Sequence, residues 1–314
     1  MSKRVIAVVG PTAVGKTAAG IEIARRFRGE IISGDSMQIY KGLDIGTAKA
    51  TVQEQQMIPH HLIDLLVPGE SFSAADFQKQ AEELIHTITN KNKIPVIVGG
   101  TGFYIRSLTG NLTFHNTAAD ITFRIELEKY AAEYGAKALH TKLELVDPVS
   151  AESIHPNNVK KVIRALEINH YSGSHKRTFA HQEKNAPNND ITLIGLTMER
   201  ELLYNRINER VDKMIKAGVV EEARWLFENI SPQSQAAQAI GYKEFFPYFT
   251  GDISLNDAVD LLKRNSRRYA KRQLTWFRNK EQVEWFDVTK KDFRKIITEI
   301  IQYLEGKKFL SSNT

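Results

Sequence analysis

Residues 4–17 read RVIAVVGPTAVGKT, an apolar run followed at once by a glycine-rich turn. The run over 4–9 is short and rich in β-branched residues, which is typical of a buried parallel strand. The turn matches the phosphate-loop pattern GxxxxGK[ST], and Ala18 to Phe27 after it have helical composition. Strand, turn and helix in this order predict a loop that binds a di- or triphosphate.

Each residue type in this loop has a chemical part. The glycines let backbone N–H groups point at phosphate oxygens, and the helix N-terminus adds partial positive charge. Lys16 supplies a mobile cation, and the Thr17 hydroxyl is a ligand for Mg²⁺. The predicted phosphate-binding residues are Gly10, Pro11, Thr12, Ala13, Val14, Gly15, Lys16 and Thr17.

Further apolar runs alternate with a helical pattern. They predict strands at 30–33, 62–66 and 95–98, with a helix over 74–89. Such alternation favours a parallel α/β sheet. We therefore predict an α/β fold with a phosphate-loop NTPase-like core.

Two turns at strand ends carry candidate site residues. Asp35 follows the second strand, at the edge of a parallel sheet where ligands bind. The strand at 95–98 runs into GGTGFY at 99–104, where many ATPases place a Mg²⁺-binding Asp. This difference argues against a motor or switch ATPase and leaves a small-molecule or nucleotide kinase open. We expect the turn to let a ligand approach the backbone closely, and Thr101 is either a ligand contact or a plain turn residue.

The middle of the chain loses the strand pattern and is predicted to be helical. Helices are expected at 121–135, 136–146 and 159–171, before a strand returns at 191–196. Insertions into surface connections cost little closure entropy. The predicted domains are a discontinuous core of 1–114 and 191–288, a helical insertion of 115–190, and a C-terminal helix within 289–314 that docks on the core.

Two basic helices follow. Arg206 and Arg210 lie four residues apart and share a face, suited either to phosphate binding or to ion pairs on a solvated surface. Residues 263–272 include six cationic and no acidic residues. That run favours a nucleic-acid backbone as partner over a small anion or plain solvation.

Composition narrows the classes of function. The 314 residues carry a net charge of +6 and no cysteine, which excludes a thiolate nucleophile and a Cys-ligated metal site. A cysteine-free chain fits a reducing compartment, and we expect the protein to be cytoplasmic. We also expect it to be a monomer. We expect no membrane span, because no apolar run approaches about 18 residues.

Together the motifs resemble the tRNA dimethylallyltransferase (tRNA isopentenyltransferase) family over residues 5–278. The matching runs are GPTA (10–13) with GKT (15–17), GDSMQIY (34–40), DIGTAK (44–49), PHHLID (59–64), GGTGFY (99–104), RALE (164–167), AIGYKE (239–244), YAKRQ (269–273) and TWF (275–277). The zinc finger of some eukaryotic members is absent, which indicates a bacterial-type enzyme.

The resemblance implies transfer of a dimethylallyl group from dimethylallyl diphosphate to N6 of the adenine just 3′ of the tRNA anticodon, with Mg²⁺ and release of diphosphate. It implies that Asp35 is the general base, that Thr101 contacts the adenine, and that Lys16 with Arg210 and Arg206 stabilises the diphosphate. The implied contacts with the anticodon stem-loop are Asp35, Ser36, Met37, Gln38, Thr101, Phe123, Arg124, Val159, Lys160, Lys161, Val162, Ile163, Ile240, Gly241, Tyr242, Lys243, Arg267, Arg268, Lys271 and Arg272.

Two other functions are compatible with the same motifs. A small-molecule or nucleotide kinase would use the phosphate loop for ATP, and would need a base pocket and a lid with arginines. A non-catalytic RNA-binding module would have no need of Asp35 beside the loop.

Overall fold

The computed structural model describes residues 3–110, 112, 120–171, 189–289, 292–307 and 309. The chain divides into two compact units, a first unit of 1–111 with 187–314 and a second unit of 112–186. The predicted boundary at 114/115 lies outside the described residues.

A six-stranded sheet forms the centre of the first unit. Its strands are β1 (Lys3–Val9), β2 (Glu30–Ser33), β3 (His60–His61), β4 (Pro95–Val98), β5 (Asn189–Thr197) and β6 (Glu284–Asp287). The order is β3-β2-β4-β1-β5-β6, and every pair is parallel. The predicted α/β fold is therefore confirmed, and the carboxyl ends of all six strands lie at one edge.

Helices connect and cover the strands. Their bounds are α1 (Lys16–Arg26), α2 (Val52–Met57), α3 (Ala74–Asn90), α4 (Gly102–Thr109), α5 (Ile121–Val146), α6 (Pro148–Ser153), α7 (Val159–Tyr171), α8 (Arg200–Ala217), α9 (Val219–Asn229), α10 (Phe246–Phe249), α11 (Leu255–Lys280) and α12 (Phe293–Gly306). Across the described ranges, none of these helices has the length and apolar character needed to cross a bilayer.

The sheet separates two apolar cores. Alternate side chains of β1 enter each, because successive residues of a strand point to opposite faces. Val5 and Val9 pack with α3, α9 and α11, whereas Ile6 and Val8 pack with α1 and α12. The C-terminal helix α12 thus covers one face of the sheet, with Ile300 fully buried.

The prediction of a strand at 62–66 is wrong. Only His60 and His61 pair with β2, and Leu62 and Asp64 then adopt left-handed backbone angles with φ of 60° and 54°. In this turn the Asp64 carboxylate accepts a hydrogen bond from Lys49 at 2.5 Å, and the Leu65 N–H donates to the Ile39 carbonyl at 2.8 Å. An apolar run alone carried no sign of this turn.

The second unit is helical in its described part. Helix α5 is interrupted at Gly135, whose φ of 89° separates the two helices that the sequence predicts. The Asp147 carboxylate then accepts a hydrogen bond from the Ser150 N–H at 3.0 Å and begins α6. Leu139, Leu143 and other apolar residues of the three helices form the core of this unit.

Leucines of α8 and α9 provide a test of this packing. Leu226 is fully buried, whereas Leu202 is 42% exposed. We expect Leu226→Ala to lower the free energy of unfolding by roughly 2–5 kcal/mol, because it removes buried methyl groups and leaves a cavity. The matched change Leu202→Ala is expected to cost about 0.5 kcal/mol or less. Urea unfolding measures both, and equal losses would contradict the assigned core.

Candidate active site

The phosphate loop lies between β1 and α1, at the carboxyl edge of the sheet. Gly10 has a φ of 142°, and a Cβ there would lie 2.5 Å from the Leu196 carbonyl oxygen. Gly15 has a φ of 107° and begins α1. A side chain is therefore excluded sterically at the first position and disfavoured by backbone angles at both. The resulting loop wraps around a helix N-terminus, the geometry of an anion site.

Two cations face this loop. Lys16 Nζ donates to the Pro11 carbonyl at 2.6 Å, and Arg210 Nη1 donates to Thr12 Oγ1 at 2.9 Å. Burial and the nearby charge of Arg210 lower the pKa of Lys16 to about 7, although Asp35 raises it. A bound anion would offset this repulsion.

The two arginines of α8 differ in their position relative to the cavity. Arg210 lines the cavity above the loop, whereas Arg206, one turn earlier, is exposed and does not line it. The α8 residues that line the cavity are Ile207, Arg210, Val211 and Met214, and Arg206 lies outside this set. Only Arg210 is placed to contact a bound diphosphate.

Asp35 is held at the end of β2 by local hydrogen bonds. Its Oδ1 accepts from the Met37 N–H at 2.9 Å. Thr101 Oγ1 accepts from the Ser36 N–H at 3.1 Å, and the Thr101 N–H donates to the Gly34 carbonyl at 3.2 Å. The turns after β2 and β4 therefore form one connected unit with the Asp35 carboxylate beside the phosphate loop.

The glycines of the turn after β4 allow other parts of the chain to pack closely against it. A Cβ on Gly99 would lie 2.2 Å from Gly34, and a Cβ on Gly102 would lie 2.2 Å from the Trp276 ring. Protein atoms fill the space that a side chain would need. These two glycines therefore allow close packing within the chain, and Gly99 also lies on the wall of the cavity.

Sequence reasoning did not assign a role to Gln273 of α11. Its side chain is buried, accepts from the Thr12 N–H at 2.8 Å and donates to the Gly100 carbonyl at 3.0 Å. A glutamine directly after the cationic run 263–272 carries no local sequence signal of such contacts. Only the conjunction of phosphate loop, glycine turn and helix in three dimensions reveals them.

Residues of the phosphate loop, Asp35, Arg210 and Gln273 line one cavity of about 590 Å³, whereas Thr101 does not line it. Lys16, Thr17, Asp35 and Arg210 lie on its walls together with Ser36, Met37 and Gln38. Other parts of the wall are apolar and come from α8 and α11, namely Ile207, Val211, Met214 and Leu262. The cavity thus combines cationic groups, a carboxylate and a hydrocarbon surface.

The family model for IPP transferases matches residues 38–280. A tRNA dimethylallyltransferase of Halalkalibacterium halodurans is 50% identical over 98% of this chain and 98% of its own length. The chain belongs to the IPP transferase family. The family assignment made from the motifs is thereby confirmed.

Solved structures of this family have the same fold. A full-length tRNA isopentenylpyrophosphate transferase from Bacillus halodurans gives a TM-score of 0.73 at 50% identity, covering 97% of this chain and 96% of that one. A eukaryotic dimethylallyltransferase acting on tRNA gives 0.80 at 28% identity, covering 97% and 80%. The kinase alternative gains no support from these relatives.

Some cationic side chains of the run 263–272 on α11 already have partners within the protein, and others are exposed. Lys263 pairs with Asp212 of α8 at 2.6 Å, and Arg267 donates to Asn208 at 2.6 Å. Arg268 and Lys271 are exposed. Arg272 is also exposed and lines the cavity, so this end of the helix adjoins the candidate site.

The loop 240–243 contributes to the cavity wall. Ile240, Gly241 and Lys243 line it. Tyr242 is fully buried and donates its hydroxyl to Glu222 at 2.7 Å. The Tyr242 side chain is therefore unavailable to RNA and supports the loop from below.

The second unit holds the other predicted RNA contacts. Lys160 and Lys161 are exposed and Val159 is half-buried, but Val162 and Ile163 are buried in the helical core, which removes their side chains from any RNA surface. Separately, Arg124 pairs with Glu167 at 2.8 Å, and Phe123 stacks on His170 at 4.7 Å between ring centroids. These two side chains already have partners within the unit.

The lowered pKa of Lys16 makes anion binding depend on pH. Lys16 loses its proton as pH rises through about 7, so the affinity for inorganic diphosphate falls above that pH. In Lys16→Arg the guanidinium stays protonated. We expect the ratio of wild-type to variant dissociation constants to rise roughly tenfold between about pH 6.5 and about pH 8.5. Calorimetry measures both constants. A flat ratio would show that Lys16 does not titrate in this range.

Proposed function

We propose that the protein transfers a dimethylallyl group from dimethylallyl diphosphate to N6 of the adenine 3′-adjacent to the anticodon of tRNA, releasing diphosphate. The observation that carries the proposal is the shared cavity, in which a phosphate loop, a carboxylate and an apolar wall meet. Membership of the IPP transferase family supports it. A kinase would place a nucleotide on the same loop, and the relatives of this chain give that alternative no support.

The donor is bound by its diphosphate. Loop N–H groups, Lys16 and Arg210 surround the oxygens that gain negative charge when the C1–O bond breaks. These donors are fixed before the reaction, so they stabilise the departing diphosphate without reorganisation. The dimethylallyl group lies against Ile207, Val211 and Met214, which exclude water from the allylic carbon.

The acceptor is the exocyclic amine of adenine, a poor nucleophile whose lone pair is delocalised into the ring. Its nitrogen forms a bond to C1 as the C1–O bond breaks and the electron pair leaves with the diphosphate. The Asp35 carboxylate accepts the proton that N6 loses. The Met37 N–H holds Asp35, and Thr101 fixes the adjacent Ser36, so the base is oriented before RNA arrives.

A divalent metal fits the residues at the loop. Within the described ranges, no cluster of three or more His, Asp or Glu side chains is placed to hold a metal. Mg²⁺ needs no such cluster, because it binds through one or two protein oxygens together with phosphate oxygens and water. Thr17 would hold it, and the ion would neutralise charge on the diphosphate.

The RNA must deliver an unstacked base to the cavity. A base within a stacked loop does not reach a recessed carboxylate, so the target adenine is flipped outward. Arg268, Lys271 and Arg272 contact the phosphate backbone next to the cavity, and Lys160 and Lys161 provide phosphate contacts on the second unit. We also propose that the protein is a monomer and is located in the cytoplasm, and both points remain predictions.

The direct test is to incubate the protein and Mg²⁺ with labelled dimethylallyl diphosphate and unmodified tRNA. The proposal predicts label on one adenine of the anticodon loop and an equal amount of free diphosphate. A parallel reaction contains labelled ATP and no prenyl donor. Turnover of ATP without transfer to RNA would support the kinase alternative instead.

Removing the proton acceptor tests the role of Asp35. We expect Asp35→Asn to lower kcat by roughly 10²–10⁴-fold, because the amide does not accept the N6 proton. The dissociation constant for tRNA, measured by filter binding, should change little. Asp260→Asn, an exposed site on α11, is the matched control and should keep normal kcat. Normal turnover by the Asp35 variant would remove this residue from the mechanism.

Charge reversal on α11 tests the RNA surface. The double variant Arg268→Glu/Lys271→Glu should weaken tRNA affinity and reduce the slope of log K against log salt by roughly 0.7–0.9 for each phosphate that the variant no longer neutralises. The control Arg294→Glu/Lys295→Glu makes the same charge change at exposed positions of α12. Equal effects of both double variants would indicate a response to net charge alone.

A further inference from the structure

We propose that Gln273 is a positioning residue that holds the phosphate loop in register with the turn carrying Thr101. The inference rests on the proposed function, because this register would set the donor carbon against the acceptor nitrogen. Gln273 carries no charge and does not itself react. Its effect passes through the backbone of two loops that touch the substrates.

The hydrogen bonds of Gln273 join those two loops directly. Oε1 accepts from the Thr12 N–H at 2.8 Å, and Nε2 donates to the Gly100 carbonyl at 3.0 Å. The residue is only 5% exposed, so water competes weakly for either bond. One amide group thus satisfies a donor in the phosphate loop and an acceptor in the turn after β4.

The fit of Gln273 against Gly100 agrees with this bridge. A Cβ on Gly100 would lie 2.1 Å from Gln273 Nε2. Gly100 has no positive φ to require glycine, so its lack of a side chain is explained by this close approach. The turn is therefore shaped to receive the glutamine.

Each end of this bridge continues to a reacting group. On the donor side, Thr12 Oγ1 accepts from Arg210 at 2.9 Å. On the acceptor side, Gly100 precedes Thr101, which accepts from the Ser36 N–H beside Asp35. Gln273 lies between the cation that faces the diphosphate and the carboxylate that accepts the proton. A shift of either loop would separate the two reacting atoms.

The same helix turn also meets the proposed RNA surface. Lys271 and Arg272, which immediately precede Gln273, are exposed. Helix α11 therefore presents phosphate contacts on one side and the loop bridge on the other. Gln273 directly follows the cationic run 263–272, so its buried amide adjoins exposed basic side chains without belonging to their surface.

Two substitutions at this position separate its two bonds. Gln273→Met removes both, and Gln273→Glu keeps the acceptor for Thr12 but loses the donor to Gly100. We expect both to lower kcat for prenyl transfer by roughly tenfold to a hundredfold, the cost of misaligning reactants. In Gln273→Met the dissociation constants for diphosphate and tRNA should each change by less than about threefold, because misalignment affects the reacting pair more than either substrate alone. Gln273→Glu adds a negative charge to the cavity wall, so its diphosphate affinity is not part of this test.

Amide exchange gives a readout that does not depend on turnover. Exchange of the Thr12 N–H, followed by NMR, should be roughly tenfold faster in Gln273→Met and near wild type in Gln273→Glu. Gln282→Met, at an exposed glutamine outside the cavity, is the matched control and should change neither exchange nor kcat. A normal kcat in Gln273→Met, or unchanged Thr12 exchange, contradicts the proposal. A loss of kcat in Gln273→Met accompanied by an equal loss of diphosphate affinity also contradicts it.

A substitution at Gly100, in the turn after β4, provides a second test of the Gln273 hydrogen bonds. Gly100→Ala should displace the glutamine and lower kcat in the same range, and combining it with Gln273→Met should cost less than the sum of the two. Additive losses would contradict the bridge. Absence of transfer by the wild-type protein would overturn the proposed function instead, and Thr12 exchange would still decide whether Gln273 holds the loop.

Discussion

Two like charges in one recessed cavity are the constraint from which the site follows. Lys16 and Arg210 both point into the loop after β1, and their repulsion, added to burial, lowers the pKa of Lys16 to about 7. Such an arrangement is stabilised by a ligand with several negative charges. A bound diphosphate supplies these negative charges. When the C1–O bond breaks, the additional negative charge on the leaving diphosphate is stabilised by the same two cations.

The parallel sheet determines which other groups lie next to Lys16 and Arg210. The carboxyl ends of β1, β2 and β4 lie side by side, so the phosphate loop and Asp35 line one cavity at this edge, and Thr101 is hydrogen-bonded to the adjacent Ser36. The apolar side chains of α8 and α11 then supply a hydrocarbon wall next to the diphosphate site. An ordinary phosphate-loop fold is thereby suited to breaking a carbon–oxygen bond in place of a phosphoanhydride.

Sequence patterns predicted the parts of the site that are local in the chain. The phosphate loop follows from its spacing, and Asp35 follows from its place after a buried strand. The break at Gly135 was also predicted, since glycine at the end of one helical pattern marks a stop. Strand β3 was misplaced because the turn at Leu62 and Asp64 is held by contacts with Lys49 and with the backbone of residues 38–39, which are distant in sequence and leave no local signal.

Contacts between distant segments could not be predicted in this way. The difference between Arg206 and Arg210 depends on how α8 crosses the cavity, and Gln273 gains its role only when α11 packs against two loops. Burial of Tyr242 and Val162 likewise depends on tertiary packing.

The most direct test of the central claim is a crystal structure with a thiolo analogue of dimethylallyl diphosphate that does not react. The account predicts the diphosphate between Lys16 and Arg210, with C1 facing the Asp35 carboxylate and the methyl groups against the apolar wall. A diphosphate bound elsewhere, or a C1 atom turned away from Asp35, would contradict it.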